Sequence, residues 1–490
     1  MSRVVFIQKD VFAKPSVMAL SAIGKRKGHT CGIVVADLEK DPVQTATQLK
    51  PDVIAFSITT PEFPFMQSIC PKLRESCGTS FIICGGPHAT FYPDVIHESY
   101  LDAICIGEGD LAFIDYLNAV DSGKKTEDIP NFIVKSHGIL HKNDVRPLVD
   151  NLDSLPYYDR EIYQRYALYT GKSREILYHQ VMMAGRGCPK SCAFCFNKRY
   201  NLLYHGKGRI VRRRSVDHII AELKLLKKTG EVRFITFDDD SFTLAPKDWL
   251  HLFCETYGKE IGIPFKINST PEVLDEDLVK HLKLAGCHAV KMGLESGNED
   301  MRNRILSKNL KKESIVFAAK ILKKYGIRFQ SFNMVCCPGE TLSMAFETYE
   351  LNRKIRPDFA WCSLLNPYPG TDLHNYCLKN NFITATTGFD KTGYSYFTDA
   401  PLDLAEKREM LNLQKLMNIA VQLNLPTRVL RFLVRLPFLR LYRLIFGAGM
   451  TWGLSRINKN SLIPIVHLSI LYFSRYNKAR FYRYRETDKY

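Results

Sequence analysis

Short apolar runs alternate with longer amphipathic stretches along most of this chain, at the spacing of β–α units. In the first series the runs predict strands at Val4 to Ile7, Gly32 to Ala36, Val53 to Ser57, Phe81 to Cys84 and Ala103 to Ile106. Helical patterns fall at Ser16 to Lys27, near Gln44 and at Met66 to Arg74, with turns at Gly28, Pro51 and Gly78. Strands connected through helices pair in parallel, so the reading for 1–145 is a doubly wound, Rossmann-like α/β domain.

The passage 146–174 is rich in Pro, Asp and Tyr and reads as a linker. A second β–α series follows over 175–380. Its strands are predicted at Val181 to Ala184, Phe234 to Phe237, Phe265 to Asn268, Val290 to Leu294, Phe329 to Val335 and Phe359 to Leu365. Helices such as His218 to Lys228 and Leu274 to Ala285 lie between them. Six such repeats predict an open, partial (β/α)6 barrel, which places ligands at the carboxyl ends of its strands. From Leu402 the pattern turns helical, and 381–490 forms a separate, basic C-terminal region.

At 490 residues and 46% hydrophobic content the chain buries a sizeable core. Its net charge of +17 first suggests nucleic acid, but the distribution argues otherwise: from Arg428 onward 13 Lys and Arg stand against Glu486 and Asp488 alone. Those cations sit beside aliphatic residues, Arg428, Arg431 and Arg435 among Val429, Leu430, Phe432 and Leu433. A basic amphipathic surface suits anionic lipid, with Trp452, Tyr442 and Tyr472 as interfacial anchors; a helical cap on the barrel is the competing reading. The Arg480 to Arg485 run interleaves Tyr and Arg, but aliphatic residues dominate the segment, so no nucleic-acid partner is expected. No uncharged apolar run is long enough to span a bilayer, and the chain runs straight from Met1 into a strand. The expected location is cytoplasmic, with peripheral association at the inner membrane face.

Fourteen cysteines are too sparse for a disulfide scaffold. Three crowd into Gly185-Arg-Gly-Cys188-Pro-Lys-Ser-Cys192-Ala-Phe-Cys195, directly after a predicted strand. Thiolates at that spacing wrap one face of an iron–sulfur cube and leave one iron open, because the usual fourth cysteine is missing. A zinc knuckle is the alternative, but zinc sites come as paired C-x₂-C units or with histidines, and no such pair stands nearby.

At these residues the chain resembles the radical S-adenosylmethionine superfamily, whose signature C-x₃-C-x-aromatic-C is completed by Phe194. The resemblance implies a 4Fe-4S cluster whose open iron chelates S-adenosylmethionine, and cleavage of that cofactor to a 5′-deoxyadenosyl radical. It also implies roles in the barrel. Phe237-Asp-Asp-Asp-Ser-Phe-Thr243 is similar to the family's F-x-D-D-x-F-T, which gives Asp239 and Asp240 to the methionine ammonium; a helix N-cap is the alternative. Gly293-Leu-Glu295-Ser296-Gly297 is similar to G-x-E-S-G, which gives Glu295 and Ser296 to the ribose. Pro338-Gly-Glu-Thr341 and Pro367-Tyr-Pro-Gly-Thr-Asp372 look like further elements of that subgroup, although Cys336 and Cys337 depart from it and read as filler.

The first domain lacks a G-x-G-x-x-G turn, which argues against a dinucleotide. Its glycine loops, Cys84-Gly85-Gly86-Pro87-His88 and Ile106-Gly107-Glu108-Gly109-Asp110, with Ser57-Ile-Thr59 after the third strand, resemble those of cobalamin-binding domains fused to radical enzymes. The resemblance implies cobalamin at Ser57, Thr59, Gly85, Gly86, Gly107, Glu108 and Gly109. The cobalt-binding D-x-H-x-x-G motif is absent; His88 is a candidate substitute ligand, with an ordinary loop histidine the favoured reading.

The expected activity is a cobalamin-dependent radical methyltransferase acting on an unactivated carbon of a small-molecule or lipid-like substrate. Its expected partners are a low-potential electron donor of flavodoxin or ferredoxin type and an anionic membrane surface. A cyclase or rearrangement enzyme with the same cofactors is the runner-up, and a non-catalytic corrinoid or iron–sulfur sensor is the alternative outside enzymes. Methylthiolation of transfer RNA is disfavoured, since no second N-terminal cysteine set is present.

Overall fold

A computed structural model describes residues 1–169, 179–384 and 396–459. The first sheet has seven strands: β1 (Arg3–Gln8), β2 (Thr30–Val35), β3 (Val53–Ser57), β4 (Phe81–Gly85), β5 (Ala103–Cys105), β6 (Phe132–Ser136) and β7 (Ile139–Lys142). Their order is β2-β1-β3-β4-β5-β6-β7; the first five pair in parallel and the last two antiparallel. All five expected strands are present, whereas the β6–β7 hairpin was missed: it breaks the strand–helix alternation, and β7 is half polar. Parallel strands covered on both faces become continuously apolar, and β1 is buried at every position after Arg3. Two apolar layers result, one around Val5, Ile54 and Ile82, the other around Phe6, Ala55 and Phe113.

The second large sheet comprises β8 (His179–Met182), β11 (Phe234–Phe237), β12 (Phe265–Ser269), β13 (Cys287–Glu295), β14 (Arg328–Val335) and β15 (Phe359–Leu364). All six are parallel, in the order β15-β14-β13-β12-β11-β8, and β8 and β15 remain edges. This is the open partial barrel. A small antiparallel pair, β9 (Gly185–Arg186) with β10 (Arg212–Arg213), follows its first strand. Alternation along the strands sends Val290, Met292 and Leu294 outward to the helices, while Lys291 and Gly293 face inward.

Linker residues bind both halves. Tyr163 and Tyr166 are buried on the first domain, and the Tyr163 hydroxyl donates to Gln8 at 2.7 Å. Arg160 meets the buried Glu222 of the barrel at 2.5 Å.

The C-terminal region also closes the barrel. The Lys407–Gln422 helix packs behind β15. The Leu439–Asn458 helix drives Ile457 against Ala289 and Phe359 on the inward face. Gly453 is required there, since a Cβ would fall 2.2 Å from the Phe359 ring. The Arg456 carbonyl accepts from Arg328 at 2.8 Å, and Lys266 donates to Asn458 at 2.5 Å. Arg328 and Lys266 sit at strand starts, so the helix end plugs the barrel floor, opposite the ligand-binding end. Tyr442 is buried and donates to the Leu433 carbonyl at 2.7 Å, which removes it as a lipid anchor. Tyr472 and the Arg480 to Arg485 run lie outside the described residues.

Candidate functional site

The cysteine loop leaves β9 through Gly187, whose φ of +89° places an added Cβ 2.1 Å from the Ile210 carbonyl oxygen. Only glycine fits that turn. The loop is pinned at both sides: Ala193 donates to the Leu306 carbonyl at 3.0 Å and Leu373 to the Ala193 carbonyl at 2.9 Å. Cys195 then caps the Phe196–Leu203 helix, its sulfur accepting from the Asn197 amide at 3.5 Å. Burial raises all three thiols, Cys195 to about 12, so a cationic centre is what makes thiolates of them. Among the described residues, the cluster of metal-ligand atoms within 4.8 Å of one another is His251, Asp277 and His281 on the outer helices, not the cysteine trio. A single tetrahedral zinc brings thiolates to about 3.8 Å of each other, given Zn–S bonds near 2.3 Å. The three cysteine sulfurs do not all lie within 4.8 Å of one another, outside that zinc spacing.

The acidic run after β11 divides its roles. Asp239 is buried with both oxygens committed, one to Arg213 at 2.6 Å and one to the Ala184 amide at 3.0 Å. Burial raises it to about 6 despite Arg213. It braces the β8–β9 turn from behind, which corrects its expected place among the cofactor ligands. Asp240 is exposed, accepts from Asn197 at 3.0 Å and acts electrostatically on Cys188 and Cys195, so it faces the loop. Asp238, passed over in the sequence, points into the barrel and meets Lys291 at 3.2 Å.

Glu295 ends β13 with φ of +66° and accepts from Lys308 at 2.8 Å. The pair lies over Gly293, where a Cβ would fall 2.4 Å from Glu295 and 2.6 Å from Lys308. Lys308 also stands 5.9 Å from the Phe194 ring and acts on Cys192, joining this carboxylate to the cysteine loop. No sequence motif flagged Lys308, because its role follows from a loop that folds back 13 residues later. Ser296 is fully buried, within 3.4 Å of the Thr348 hydroxyl, and its carbonyl is held by the buried Arg302 at 2.9 Å. Its side chain shapes the turn, accepting from the Asn298 amide at 3.2 Å. Cys336 and Cys337 are fully buried, with thiols raised well above their usual range, and act as filler. Glu340 braces that turn by accepting from the Cys337 amide at 2.9 Å, and burial raises it to about 8.

In the first domain, Gly86 has φ of +91°, and a Cβ there would lie 2.7 Å from the Ile58 carbonyl and 3.3 Å from Ser57 Oγ. Bare backbone of Gly85 and Gly86 thus meets the end of β3. Ser57 pairs with Ser16 at 2.9 Å, and Thr59 joins Glu62 in a capping box. The other glycine loop is already filled by protein. A Cβ on Gly107 would fall 2.0 Å from the Tyr204 hydroxyl, and Glu108 binds Arg212 at 2.6 and 3.0 Å and Tyr200 at 2.9 Å. Asp110 beside it takes both arms of Arg186, at 2.6 and 2.9 Å. Gly107 and Glu108 therefore fasten the first domain to the barrel, while Gly109 packs within the first domain against Cys105 and Leu20. His88 is buried, stacked at 4.4 Å on Phe63, and lowered to about 4 by burial, so it packs as a core residue.

These contacts turn the β3 and β4 loops toward the barrel mouth. Phe91 stacks on Phe196, next to Cys195, at 4.4 Å and 9°, and Phe196 in turn lies 6.0 Å from Tyr368. Residues 11–117 match the B12 binding domain model and residues 182–351 the radical SAM superfamily model. This chain is a cobalamin-dependent radical S-adenosylmethionine enzyme. Its cofactors are a 4Fe-4S cluster, S-adenosylmethionine and cobalamin. The enzyme is 27% identical over 352 residues to an uncharacterised methyltransferase of Pyrococcus horikoshii, covering 70% of this chain and 73% of that one. It is also 27% identical over 371 residues to the anaerobic magnesium-protoporphyrin IX monomethyl ester cyclase of Rubrivivax gelatinosus, covering 73% of this chain but only 65% of the cyclase. The cobalamin-dependent radical enzyme OxsB, solved with aqua-cobalamin, shares the fold at a TM-score of 0.67 and 14% identity, over 98% of this chain and 84% of that one. Three thiols on one desolvated loop suit the cluster, and the glycine backbone at Gly85 and Gly86 suits close approach of a large planar cofactor. No helix among the described residues is long and apolar enough to cross a membrane.

Proposed function

We propose that this enzyme is a carbon methyltransferase acting on an amphiphilic small molecule. When bound, the cluster and S-adenosylmethionine supply hydrogen abstraction from carbon, and cobalamin supplies a transferable methyl group. Cys188, Cys192 and Cys195 hold the cluster, with Phe194 packed behind it. Asp240, Glu295 and Lys308 face S-adenosylmethionine, Lys308 balancing the charge of Glu295. Ser57, Thr59, Gly85 and Gly86 form the wall against which cobalamin lies.

The observation that carries this reading is the closed interface between the two domains. The Phe91–Phe196 stack holds the β4 loop against the cysteine loop, and the Arg186–Asp110 and Arg212–Glu108 pairs tie the β5 loop to the barrel beside it. A methyl donor and a radical source have to reach one substrate carbon, so this proximity is what methyl transfer requires. The barrel interior supports an amphiphilic substrate. Lys291, Asn268 and Asp238 form a polar side, and Phe332 and Trp361 an aromatic one, with ring centroids 6.1 Å apart. A lipid-like compound fits those two sides. An electron donor of flavodoxin or ferredoxin type and an anionic membrane surface complete the proposed partners.

The cyclase relative favours a second reading, ring formation with the same cofactors. Incubation with methyl-labelled S-adenosylmethionine separates the two: label in the product supports methyl transfer. Deoxyadenosine release with product formed but unlabelled supports cyclisation and refutes the proposal.

A further inference from the structure

The Leu439–Asn458 helix is apolar on two opposite sides. Tyr442, Phe446, Gly449, Gly453 and Ile457 face the protein and are buried. On the other side, at i, i+3 and i+11, stand Leu441, Leu444 and Trp452, which are 51%, 74% and 37% exposed. The preceding Thr427–Leu433 helix and its connection add two more exposed rings, Phe432 and Phe438, 63% and 50% exposed. Isolated exposed apolar residues are ordinary in proteins, but a continuous face of large ones marks a contact surface.

The charge around that face selects the partner. Arg428, Arg435, Arg440 and Arg443 border it, and no Asp or Glu occurs anywhere between Glu409 and Glu486. The carboxylates recorded beside it are already engaged, Glu350 with Thr427 and Arg353, and Glu409 with Arg408. Arg431 lies over the Phe346 ring at 4.2 Å, its stem laid along apolar surface. A second copy docking through the same patch brings arginines against arginines, since a two-fold interface is self-complementary. An anionic bilayer supplies phosphates at the level of the arginines and acyl chains at the level of the leucines and phenylalanines.

We propose that the outward face of residues 428–452 seats this enzyme on an anionic phospholipid surface. The inference rests on the membrane partner of the proposed function and is independent of its chemistry. Its position suits a substrate drawn from the bilayer. Phe446, on the inner side of the docked helix, lies 5.3 Å from Phe397, which lies 5.2 Å from Trp361 in the barrel. Trp361 adjoins Phe332, so a chain of packed rings links the docked helix to β15 and β14.

The test is co-sedimentation of the full-length, cofactor-loaded enzyme with vesicles of phosphatidylcholine, with and without phosphatidylglycerol. Binding is expected on the anionic vesicles, at least about tenfold weaker on neutral ones, and falling with salt. The Leu441→Glu/Leu444→Glu and Arg428→Gln/Arg440→Gln variants change exposed side chains, and deoxyadenosine release checks that they remain folded. Each is expected to lose about tenfold or more in vesicle binding at unchanged deoxyadenosine release. Equal binding to both vesicle types, binding of the variants at the wild-type level, or no binding at low salt overturns the docking surface. A concentration-dependent dimer abolished by Leu441→Glu/Leu444→Glu overturns it in favour of a second copy. Wild-type enzyme that binds anionic vesicles but releases no deoxyadenosine upholds the docking and removes the catalytic reading.

Discussion

Glu108 is the sharpest place to perturb the joint between the two domains. Its carboxylate receives two bonds from Arg212, whose side chain is fully buried, and one from Tyr200. Its own amide donates to the Tyr204 hydroxyl at 2.8 Å. Truncation in Glu108→Ala leaves the Arg212 guanidinium buried with only the Val149 carbonyl, at 2.8 Å, as a recorded partner. Stranding one member of a buried pair costs about 3–5 kcal/mol, most of it the uncompensated charge that remains. Removing both in Glu108→Ala/Arg212→Met takes that charge away and is expected to recover a large part of the loss. Amide hydrogen exchange at residues 107–113 and 204–213 reads the effect locally. A cost of that size corresponds to protection lower by about two to three and a half orders of magnitude, at roughly 1.4 kcal/mol per tenfold, wherever exchange follows opening of this interface. The double variant should lose clearly less. Cobalamin binding isolated at the β3 and β4 loops should survive in both. Unchanged exchange in Glu108→Ala, or a double variant that loses the sum of the two singles, refutes the joint. Loss of cobalamin without any change in exchange returns Glu108 to the cofactor site.

Other consequences follow from single contacts. Gly187→Ala places a methyl against the Ile210 carbonyl at a left-handed φ, so anaerobic iron analysis should find less than about half the wild-type cluster content. Lys308→Met leaves Glu295 buried without its cation and should weaken S-adenosylmethionine binding by about tenfold or more, measured by equilibrium dialysis, while iron content holds; unchanged affinity removes Lys308 from the site. His88 is lowered to about 4 by burial, so the unfolded chain binds the extra proton first and stability falls as pH drops from 6.5 toward 4, by up to about 3 kcal/mol. His88→Phe should flatten that part of the stability profile and retain cobalamin with an unaltered spectrum; loss of the corrinoid contradicts the core assignment.

Much of the architecture was legible in the amino-acid pattern, for a physical reason. Strands buried on two faces must be apolar at nearly every position, which is why β1 and β3 stood out, while the half-polar β7 did not. Cys188, Cys192 and Cys195 were legible because their spacing is local and their chemistry is rare. Glycines were legible as sites of close approach, but not what approaches them: at Gly107 it is Tyr204, at Gly293 the Glu295–Lys308 pair, and at Gly453 a phenylalanine 94 positions earlier in the chain, Phe359.

The sequence by itself determined the two β–α systems, the linker between them and the three thiols, because each depends on residues that are neighbours in the chain. Only the tertiary structure decided which way side chains face. Within Asp238-Asp-Asp240 the strand end sends Asp238 into the barrel to Lys291, buries Asp239 behind it against Arg213, and leaves Asp240 exposed beside the cysteine loop. It likewise spent Glu108 on Arg212, recruited Lys308, and divided the C-terminal helix between a side that plugs the barrel floor and an apolar side left in contact with solvent. Those outcomes depend on partners far apart in sequence, and no local pattern encodes a partner that only folding brings near.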